Sequence, residues 1–316
     1  MREPNAETGQ DVILFMRMPS LHRKSQRVGP LVLIAILAIT LVAGCGRQSD
    51  RHERDAQERR IVSVSKQINE FIYAIGAEHD LVAVDLTSVY PPQIRELPTV
   101  GYHRALSAEG IISMKPTVFL TDGNVGPDAV LDQLKKVGIP ITLMRPGGTV
   151  DSAQMLLTRL GEFFHREQAA DSVLAEWKAG MNQLWADTAS WSGESRPRVL
   201  IIHFGQIANN YLAVKSGSTA DQLMRWAGGQ NAIDSVGGMM RLTPELIARA
   251  APDVIIATDV GFDRFGSAEK FATLPGVALT PAGRNKRIYR IDEQKIMYYG
   301  PRTPAAVREL HAMLHP

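Results

Sequence analysis

SAEGIISMKPTVFLT at residues 107–121 has a counterpart of equal length at residues 243–257, TPELIARAAPDVIIA. Each stretch reads as a hydroxyl residue that caps a helix, a glutamate in the first turn, about two helical turns, a proline and an apolar strand. Ser and Thr cap helices because their oxygens accept unpaired main-chain N–H groups, and an acid there complements the helix dipole. The proline ends the helix, and the branched run after it favours a strand buried on both faces. Unless the recurrence is chance, it predicts two similar α/β lobes that face each other across a ligand cleft.

The rest of the chain divides around this repeat. Strand and helix patterns alternate over residues 60–150 and again over residues 189–316, which favours two Rossmann-like lobes with small parallel sheets. Between them, apolar residues recur at helical spacing over residues 151–188, with no proline. This segment predicts one connecting helix of roughly 55 Å, long enough to join the two lobes.

The N-terminal segment has the pattern of an export signal. Basic residues precede an apolar run at residues 31–43, which is too short for a spanning helix and leads directly to Cys45. This arrangement resembles a bacterial lipoprotein signal, so residues 1–44 are expected to be removed and Cys45 to be lipidated. A membrane anchor and a core cysteine are the alternatives. Residues 45–59 are polar and are expected to form a flexible tether.

Charge and cysteine content exclude several kinds of partner and site. The chain has 35 basic and 33 acidic residues, of which five and three lie in residues 1–44, so 30 of each follow the signal. This balance does not indicate a nucleic-acid partner. Cys45 is the one cysteine of the sequence, so neither a disulfide nor a thiolate metal site is expected in the exported part.

A two-lobed exported lipoprotein with one connecting helix resembles the substrate-binding proteins of bacterial ABC importers for iron complexes, haem and cobalamin. LPTVGYHRALSAEG at residues 97–110, PAGRN at 281–285 and GPRTP at 300–304 are similar to haem-binding members of the HmuT type. The resemblance implies a class III periplasmic binding protein fold and ferric haem (hemin) as the transported ligand. It also implies a monomer that is lipid-anchored in the periplasm or at the outer face of the membrane. Its partner would be an ABC permease dimer with its ATPase, and no catalytic turnover is expected.

Within this resemblance Tyr102 is the axial iron ligand. Ferric iron accepts a phenolate oxygen, as in tyrosine-ligated haem enzymes, and both the iron and a nearby cation favour ionisation of a phenol whose usual pKa is about 10. The resemblance assigns the hydrogen bond to the phenolate to Arg104, and residues i and i+2 share a face of an extended segment. His103 would then point to the opposite face, toward solvent. A packed aromatic and a surface cation are the alternative.

Other side chains are weaker candidates for the haem site. His203 ends a predicted strand and is a candidate second iron ligand; the alternative is a satisfied polar group, which is common for a histidine at a strand end. Flat aromatics and thioethers suit a porphyrin face and a cation suits its propionates, while core packing is the alternative; these pocket candidates are Met239, Met240, Arg241, Met297 and Tyr298. His311 and His315 are expected to be neutral or helix-capping residues.

Glu109 and Glu245 are the duplicated acids of the repeat. The resemblance implies that one glutamate per lobe docks onto arginines of the permease. Two carboxylates on one rim would orient the chain on a two-fold symmetric partner. Their place in the first helical turn also allows a simple helix-cap role, and the two roles are compatible.

Two other functions compete with haem binding. A binding protein of the same fold could take a ferric siderophore or cobalamin, and a required phenolate ligand separates these from haem. A tetrapyrrole chelatase also has two similar lobes, and Glu162 and His165 offer a pair at helical spacing. That pair falls on the predicted connecting helix, and export separates the chain from tetrapyrrole synthesis, so a binding protein is favoured over an enzyme.

Overall fold

The computed structural model describes residues 59–191, 193–204 and 211–316. The predicted signal peptide, Cys45 and the tether up to residue 58 lie outside the described residues. The described residues from Arg59 to Pro316 belong to one compact unit. None of the helices described in it is long and apolar enough to cross a membrane.

The first lobe is built on a parallel four-stranded sheet in the order β2-β1-β3-β4. The strands are β1 (Ile61–Val64), β2 (Leu81–Val84), β3 (Val118–Thr121) and β4 (Ile141–Leu143). The helices are α1 (Lys66–Ala74), α2 (Ala108–Ser113) and α3 (Asp128–Lys136), with 3₁₀ turns at Glu78–Asp80 and Pro92–Glu96. All of β1 is buried, because it is a central strand covered on both faces.

The second lobe contains a mixed sheet in the order β10-β9-β5-β6-β8, and a short strand β7 also pairs with β5. Its strands are β5 (Arg198–Phe204), β6 (Tyr211–Val214), β7 (Gln230–Asn231), β8 (Met239–Arg241), β9 (Val254–Thr258) and β10 (Ile288–Ile291). Its helices are α6 (Thr219–Trp226), α7 (Pro244–Ala250), α8 (Asp259–Phe265), α9 (Ala268–Ala272), α10 (Pro281–Arg284), α11 (Glu293–Ile296) and α12 (Thr303–Leu314), with a 3₁₀ turn at Val277–Leu279. The predicted parallel sheet is present as β10-β9-β5, and β6 and β8 extend it with antiparallel pairs.

The duplicated stretch folds in the same way in both lobes. The Ser107 hydroxyl accepts a hydrogen bond from Gly110 N at 3.3 Å, and the Thr243 hydroxyl accepts one from Leu246 N at 3.2 Å. The residue before each proline has a positive φ, 49° at Lys115 and 43° at Ala251. The left-handed residue turns the chain out of the helix, so proline is not the sole helix stop. Both units then enter a strand that pairs in parallel with the first strand of its lobe.

Arg60, just before β1, and Arg198, the first residue of β5, also cap the repeated helices. Arg60 donates from Nη2 to Met114 O at 2.7 Å and from Nε to Lys115 O at 3.0 Å. Arg198 donates from Nη2 to Ala250 O at 3.2 Å. These cations hold carbonyls at the ends of α2 and α7, where the helix dipole favours positive charge. The matching roles confirm a structural repeat.

The predicted single connecting helix is two helices, α4 (Val150–Phe164) and α5 (Glu167–Ser190). His165 adopts a left-handed conformation with φ 54° and ends α4. Gly161 permits the close approach of the next helix, since a Cβ there would lie 2.5 Å from the Cβ of Ala170. Arg59, the last residue of the predicted tether, donates to Phe163 O and is therefore already part of the fold.

The two helices join the lobes through a shared apolar core. α4 packs against α1 of the first lobe, and α5 packs against α12 of the second. One cluster of buried residues runs from β1 and α1 through both connecting helices to β5 and α12. Trp177 of α5 is buried in it, with its ring 6.0 Å from that of Phe71. Separating the lobes would expose this cluster, which opposes large hinge motion.

Candidate ligand-binding cleft

The carboxyl ends of the two sheets are brought together by polar contacts. Lys66, just after β1, forms an ion pair with Glu293, just after β10. Gln294 Nε2 donates to Thr87 O at 2.9 Å, three residues beyond the end of β2. Ligands of α/β proteins bind outside the carboxyl ends of parallel strands. The side chains at these strand ends therefore define the candidate cleft.

Tyr102 lies at the carboxyl edge of the first sheet. Leu86 N donates to Gly101 O at 2.9 Å, and Gly126 N donates to His103 O at 2.9 Å, so the segment is held between the loops that follow β2 and β3. The Tyr102 side chain is half-buried, and its ring lies 4.4 Å from the His103 ring. Tyr102 thus lies at the edge of the sheet outside which ligands of α/β proteins bind.

The segment around Tyr102 is a turn and not the extended strand that the sequence suggested. Ala105 N donates to Tyr102 O at 2.8 Å, which closes the turn. Arg104 consequently leaves the face predicted by i, i+2 spacing, and its Nη2 donates to Asn124 Oδ1 at 2.7 Å. Its predicted hydrogen bond to the phenolate is not among the contacts of this structure. The role of Arg104 beside a bound ligand stays a prediction.

His103 faces the protein and not solvent, which corrects its predicted orientation. Its Nδ1 lies 3.7 Å from Oδ2 of Asp85, and its side chain is 15% exposed. Asp85 is buried directly after β2 and accepts hydrogen bonds from Ser88 Oγ at 2.6 Å and Thr87 N at 3.0 Å. Burial opposes ionisation of this carboxyl, but the His103 ring and the Ser88 and Thr87 groups outweigh it and lower its pKa. Asp85 therefore anchors the histidine that flanks Tyr102.

His203 lies at the carboxyl end of β5, at the opposing edge. Its Nδ1 is 3.6 Å from Oε2 of Glu293, and this buried nitrogen has no hydrogen-bond partner within the described residues. Burial lowers the pKa of His203, and Lys66 adds to this effect, while Glu293 and Asp259 oppose it. The ring is therefore neutral at neutral pH, and a neutral imidazole is the form that binds a metal.

The three candidates on β8 divide between two faces of the second sheet. Leu212 pairs with both His203 and Arg241, so Arg241 shares a face with His203, two strands or roughly 10 Å away. Met239 lies two residues earlier on that face and is 36% exposed. Met240 points the other way and packs against the apolar cluster of the second lobe, so the core-packing alternative applies to it.

Met297 and Tyr298 lie where the lobes meet. Met297 packs against the shared core, which again fits the core-packing alternative. The Tyr298 hydroxyl donates to Glu70 Oε2 at 2.8 Å. Burial and the adjacent Glu70 raise its pKa well above the usual value, so the phenol stays protonated. Tyr298 thus serves an ionic contact between the lobes that the sequence did not predict.

Glu70 is the centre of that contact. Arg302 donates to it through Nε at 2.8 Å and Nη2 at 2.6 Å, and the guanidinium stacks 3.6 Å from the Tyr90 ring centroid. A cavity of about 600 Å³ adjoins this group and is also lined by Glu78 and Glu96. Three carboxylates around one cation do not suit an anionic ligand such as haem. The cavity is therefore a poor competitor for the strand-end cleft.

Glu109 and Glu245 occupy equivalent exposed positions in the first turns of α2 and α7. The main-chain N–H of Glu245 and the Thr243 hydroxyl lower the pKa of Glu245, as expected for an acid at a helix start. Both carboxylates are free to meet solvent or a partner. Their docking role stays a prediction.

Sequence reasoning missed Lys66, Asp85 and Glu293, which hold the cleft together. Asp85 directly follows β2, and Lys66 and Glu293 each lie two residues after a strand. This placement was the sequence signal that could have identified them as residues of the cleft. It did not identify their partners, because Lys66 and Glu293 are 227 residues apart.

A model of the periplasmic binding protein family matches residues 61–295. The periplasmic heme-binding protein RhuT from Roseiflexus sp. RS-1 is 30% identical with a TM-score of 0.74, covering 81% of this chain and 98% of that chain. The periplasmic heme-binding protein BhuT in complex with two hemes is 30% identical with a TM-score of 0.72, covering 81% and 97%. The vitamin B12-binding protein of Photorhabdus laumondii is 30% identical over 210 residues, 65% of this chain and 72% of that protein.

Proposed function

The chain belongs to the periplasmic binding protein family, and from that premise we propose that it captures ferric haem in the cleft through Tyr102 and delivers it to an ABC import permease. Like its relatives, it is a substrate-binding protein of the iron-complex and cobalamin group and not an enzyme. The chelatase alternative also lacks support from its candidate pair, since Glu162 and His165 lie at the C-terminal end of α4 and not at the strand ends.

The position of Tyr102 carries this proposal. Main-chain hydrogen bonds fix its segment at the carboxyl edge of the first sheet, and the buried Asp85 holds the neighbouring His103. A tyrosine in such a fixed turn presents its hydroxyl to a ligand with little loss of conformational entropy on binding. Ferric iron converts this hydroxyl to a phenolate without a preformed base. The heme-binding proteins RhuT and BhuT, each 30% identical to the chain, favour haem as that ligand.

The opposing edge offers complementary groups. His203 is neutral and faces Glu293, so it can give its other ring nitrogen to iron once the ligand displaces the strand-end contacts. Arg241 lies on the same face and supplies a cation at a distance suited to a haem propionate. We therefore propose that His203 is a second ligand of the haem iron and that Arg241 pairs with a haem propionate.

Cobalamin is the second candidate because of the vitamin B12-binding relative in Photorhabdus laumondii. A ferric siderophore remains the third, on the resemblance to importers of iron complexes. Neither ligand needs a tyrosine oxygen on its metal as its main anchor. The dependence of binding on the Tyr102 hydroxyl therefore separates haem from both.

Delivery would use the duplicated acids and an anchor. Glu109 and Glu245 stand on the two lobes in equivalent exposed turns, which suits docking onto cationic side chains of a permease dimer. Lipidation at Cys45 would hold the protein at the membrane surface within reach of that permease. The protein would act as a monomer between capture and delivery.

The decisive experiment is a visible-absorption titration of the chain from Gly46 onward with ferric haem, alongside Tyr102→Phe. The wild type should show a saturable Soret change with a phenolate-to-iron charge-transfer band, and the variant should lose both. Tyr73→Phe is the matched control, because it removes a phenol near the C-terminal end of α1, away from the strand ends. His203→Ala should alter the spectrum without abolishing binding.

Parallel titrations with cyanocobalamin and a ferric siderophore test the alternatives. Saturable binding of either one, with none of haem, would replace the proposed ligand. Haem binding that is unchanged in Tyr102→Phe would refute the phenolate ligand while leaving the family membership intact.

A further inference from the structure

Two histidines and a glutamate converge at the end of α12, away from the cleft. Glu194 Oε2 lies 3.0 Å from His315 Nδ1 and 3.9 Å from His311 Nε2, and the three potential ligand atoms all lie within 4.8 Å of one another. His311 and His315 are four residues apart and so face the same way from one helical turn. From this geometry we propose that Glu194, His311 and His315 form a binding site for a zinc ion.

The His311 ring is oriented as a metal ligand. Its Nδ1 lies 3.2 Å from Ala227 O, and because a carbonyl only accepts, this nitrogen carries the proton. The lone pair then resides on Nε2, which faces Glu194. Metal-binding histidines usually donate their second nitrogen to a carbonyl or carboxylate in this way. Trp191 stacks on the ring at 3.6 Å and 7°, which fixes its plane.

The His315 ring is held from its other side. Its Nε2 is buried without a hydrogen-bond partner within the described residues, close enough to Gly228 that a Cβ there would lie 3.0 Å away. Its Nδ1 faces Glu194 Oε2 at 3.0 Å, so this nitrogen is the one that can reach a cation. A ring that gives its Nδ1 lone pair to zinc carries its proton on Nε2, where the described residues offer no acceptor, and this lowers the gain from binding. His315 is therefore a weaker ligand than His311.

The ligand set and spacing favour zinc. Zn²⁺ binds imidazole nitrogen and carboxylate oxygen at about 2.0–2.2 Å in tetrahedral geometry, which places two ligand atoms roughly 3.4 Å apart. The distances of 3.0 and 3.9 Å bracket that value, so small side-chain rotations complete the site. Three protein ligands leave one position open.

Water or an anion can fill the open position. A cavity of about 260 Å³ adjoins the site and is lined by Glu194 and Trp191, together with Arg196 and Arg225. Arg225 is already paired with Asp221 at 2.9 Å, which limits its repulsion of a cation. A bound ion would tie the loop after α5 to the C-terminal end of α12, so we expect zinc to stabilise the second lobe.

Zinc binding is measured by calorimetric titration of the purified protein, prepared without a histidine tag, stripped with EDTA and kept free of haem. The wild type should bind one equivalent at this site, and Glu194→Gln, His311→Gln and His315→Gln should each weaken binding at least tenfold. His79→Gln is the matched control, because that exposed histidine pairs with Asp80 and lies in the first lobe. His203→Ala shows whether the cleft contributes a second equivalent.

Thermal unfolding gives a second readout that does not depend on variants. Zinc at about 100 times its Kd should raise the wild-type midpoint by about 5 to 10 °C, and EDTA should reverse the shift. Cobalt added to the stripped wild type should give the visible bands of a tetrahedral site, which zinc displaces. Absence of zinc binding at micromolar concentrations, or equal affinity in the wild type and all three variants, would overturn the proposal. Haem binding is not involved in either readout, so this test is independent of the proposed function.

Discussion

Replacing Arg302 by methionine should destabilise the protein far more than the loss of an ordinary ion pair. Arg302 donates two hydrogen bonds to Glu70, at 2.8 and 2.6 Å, and the two side chains are 17% and 5% exposed. Methionine retains an apolar stem but leaves the Glu70 carboxylate buried without its cation, while the Tyr298 hydroxyl still donates to it. An uncompensated buried charge of this kind costs about 3 to 5 kcal/mol.

The cost follows from desolvation and not from the number of contacts. Arg290→Met provides the comparison, because Arg290 also donates two hydrogen bonds to a carboxylate, at 2.6 and 2.8 Å to Asp263. Those side chains are 47% and 56% exposed, so water replaces the lost partner and the cost should stay below about 1 kcal/mol. Arg302 also donates to Asp292 Oδ2 at 3.1 Å and stacks on Tyr90, whereas Arg290 lies 4.0 Å from Asp259, so burial of the carboxylate partner is the main difference between the two variants.

Urea unfolding followed by tryptophan fluorescence and circular dichroism measures both costs. In thermal unfolding, Arg302→Met should lower the midpoint by about 6 to 20 °C, at 2 to 4 °C per kcal/mol for a protein of this size. The double variant Glu70→Gln with Arg302→Met should recover part of the loss, because the buried charge is then gone. An Arg302→Met cost no greater than that of Arg290→Met, or no recovery in the double variant, would refute the reasoning.

Three further results are expected. Glu109→Lys combined with Glu245→Lys should leave haem affinity unchanged and abolish uptake in cells, whereas normal uptake would leave both acids as helix caps. In the folded protein the pKa of Asp85 lies below its usual value near 3.8. The stability that ionised Asp85 contributes is therefore present above pH 3.8 and is lost as the pH falls through the folded pKa. In urea unfolding between about pH 7 and 3, the free energy of unfolding should fall less steeply for Asp85→Asn than for the wild type. Gly276→Ala should cost more than about 2 kcal/mol, because φ is 86° and a Cβ would lie 2.3 Å from a main-chain oxygen of α7. Gly266→Ala has a similar φ but open space and should cost about 1 kcal/mol, so equal costs would remove the steric argument.

The features of the fold that are determined by residues close together in the sequence were predictable. The hydroxyl caps at Ser107 and Thr243 and the buried strands after each proline are local, so the duplicated stretch identified both lobes. The break between α4 and α5 was not predictable from composition, because His165 ends the helix in a left-handed conformation where glycine is the usual signal. The antiparallel β6–β8 pair was also missed, since which strands pair across a sheet is decided by tertiary contacts.

The candidate site likewise has features that the local sequence predicted and others that depend on distant residues. The sequence around Tyr102 identified a candidate ligand, and the segment that carries it lies at the carboxyl edge of the first sheet. Its role as an iron ligand stays a prediction. The turn that redirects Arg104 and buries His103 depends on Asn124 and Asp85, which lie about 20 residues away in either direction. Glu194 and His315 are more distant still, and no local pattern connects a loop acid to a helix-end histidine. Contacts of this range require the folded structure.

The lobes are held by two kinds of contact that respond differently to a ligand. The core shared through Trp177 is apolar and buried, so opening it costs free energy in proportion to the surface exposed. The contacts at the strand ends, such as Lys66 with Glu293, are polar and can be exchanged for contacts with a charged ligand. A ligand can therefore rearrange the mouth of the cleft while the core keeps the lobes in register. If the core keeps the lobes in register in this way, the spacing between Glu109 and Glu245 changes little when a ligand binds. A permease that recognises that spacing would then meet the same pair of acids in the empty and in the ligand-bound protein.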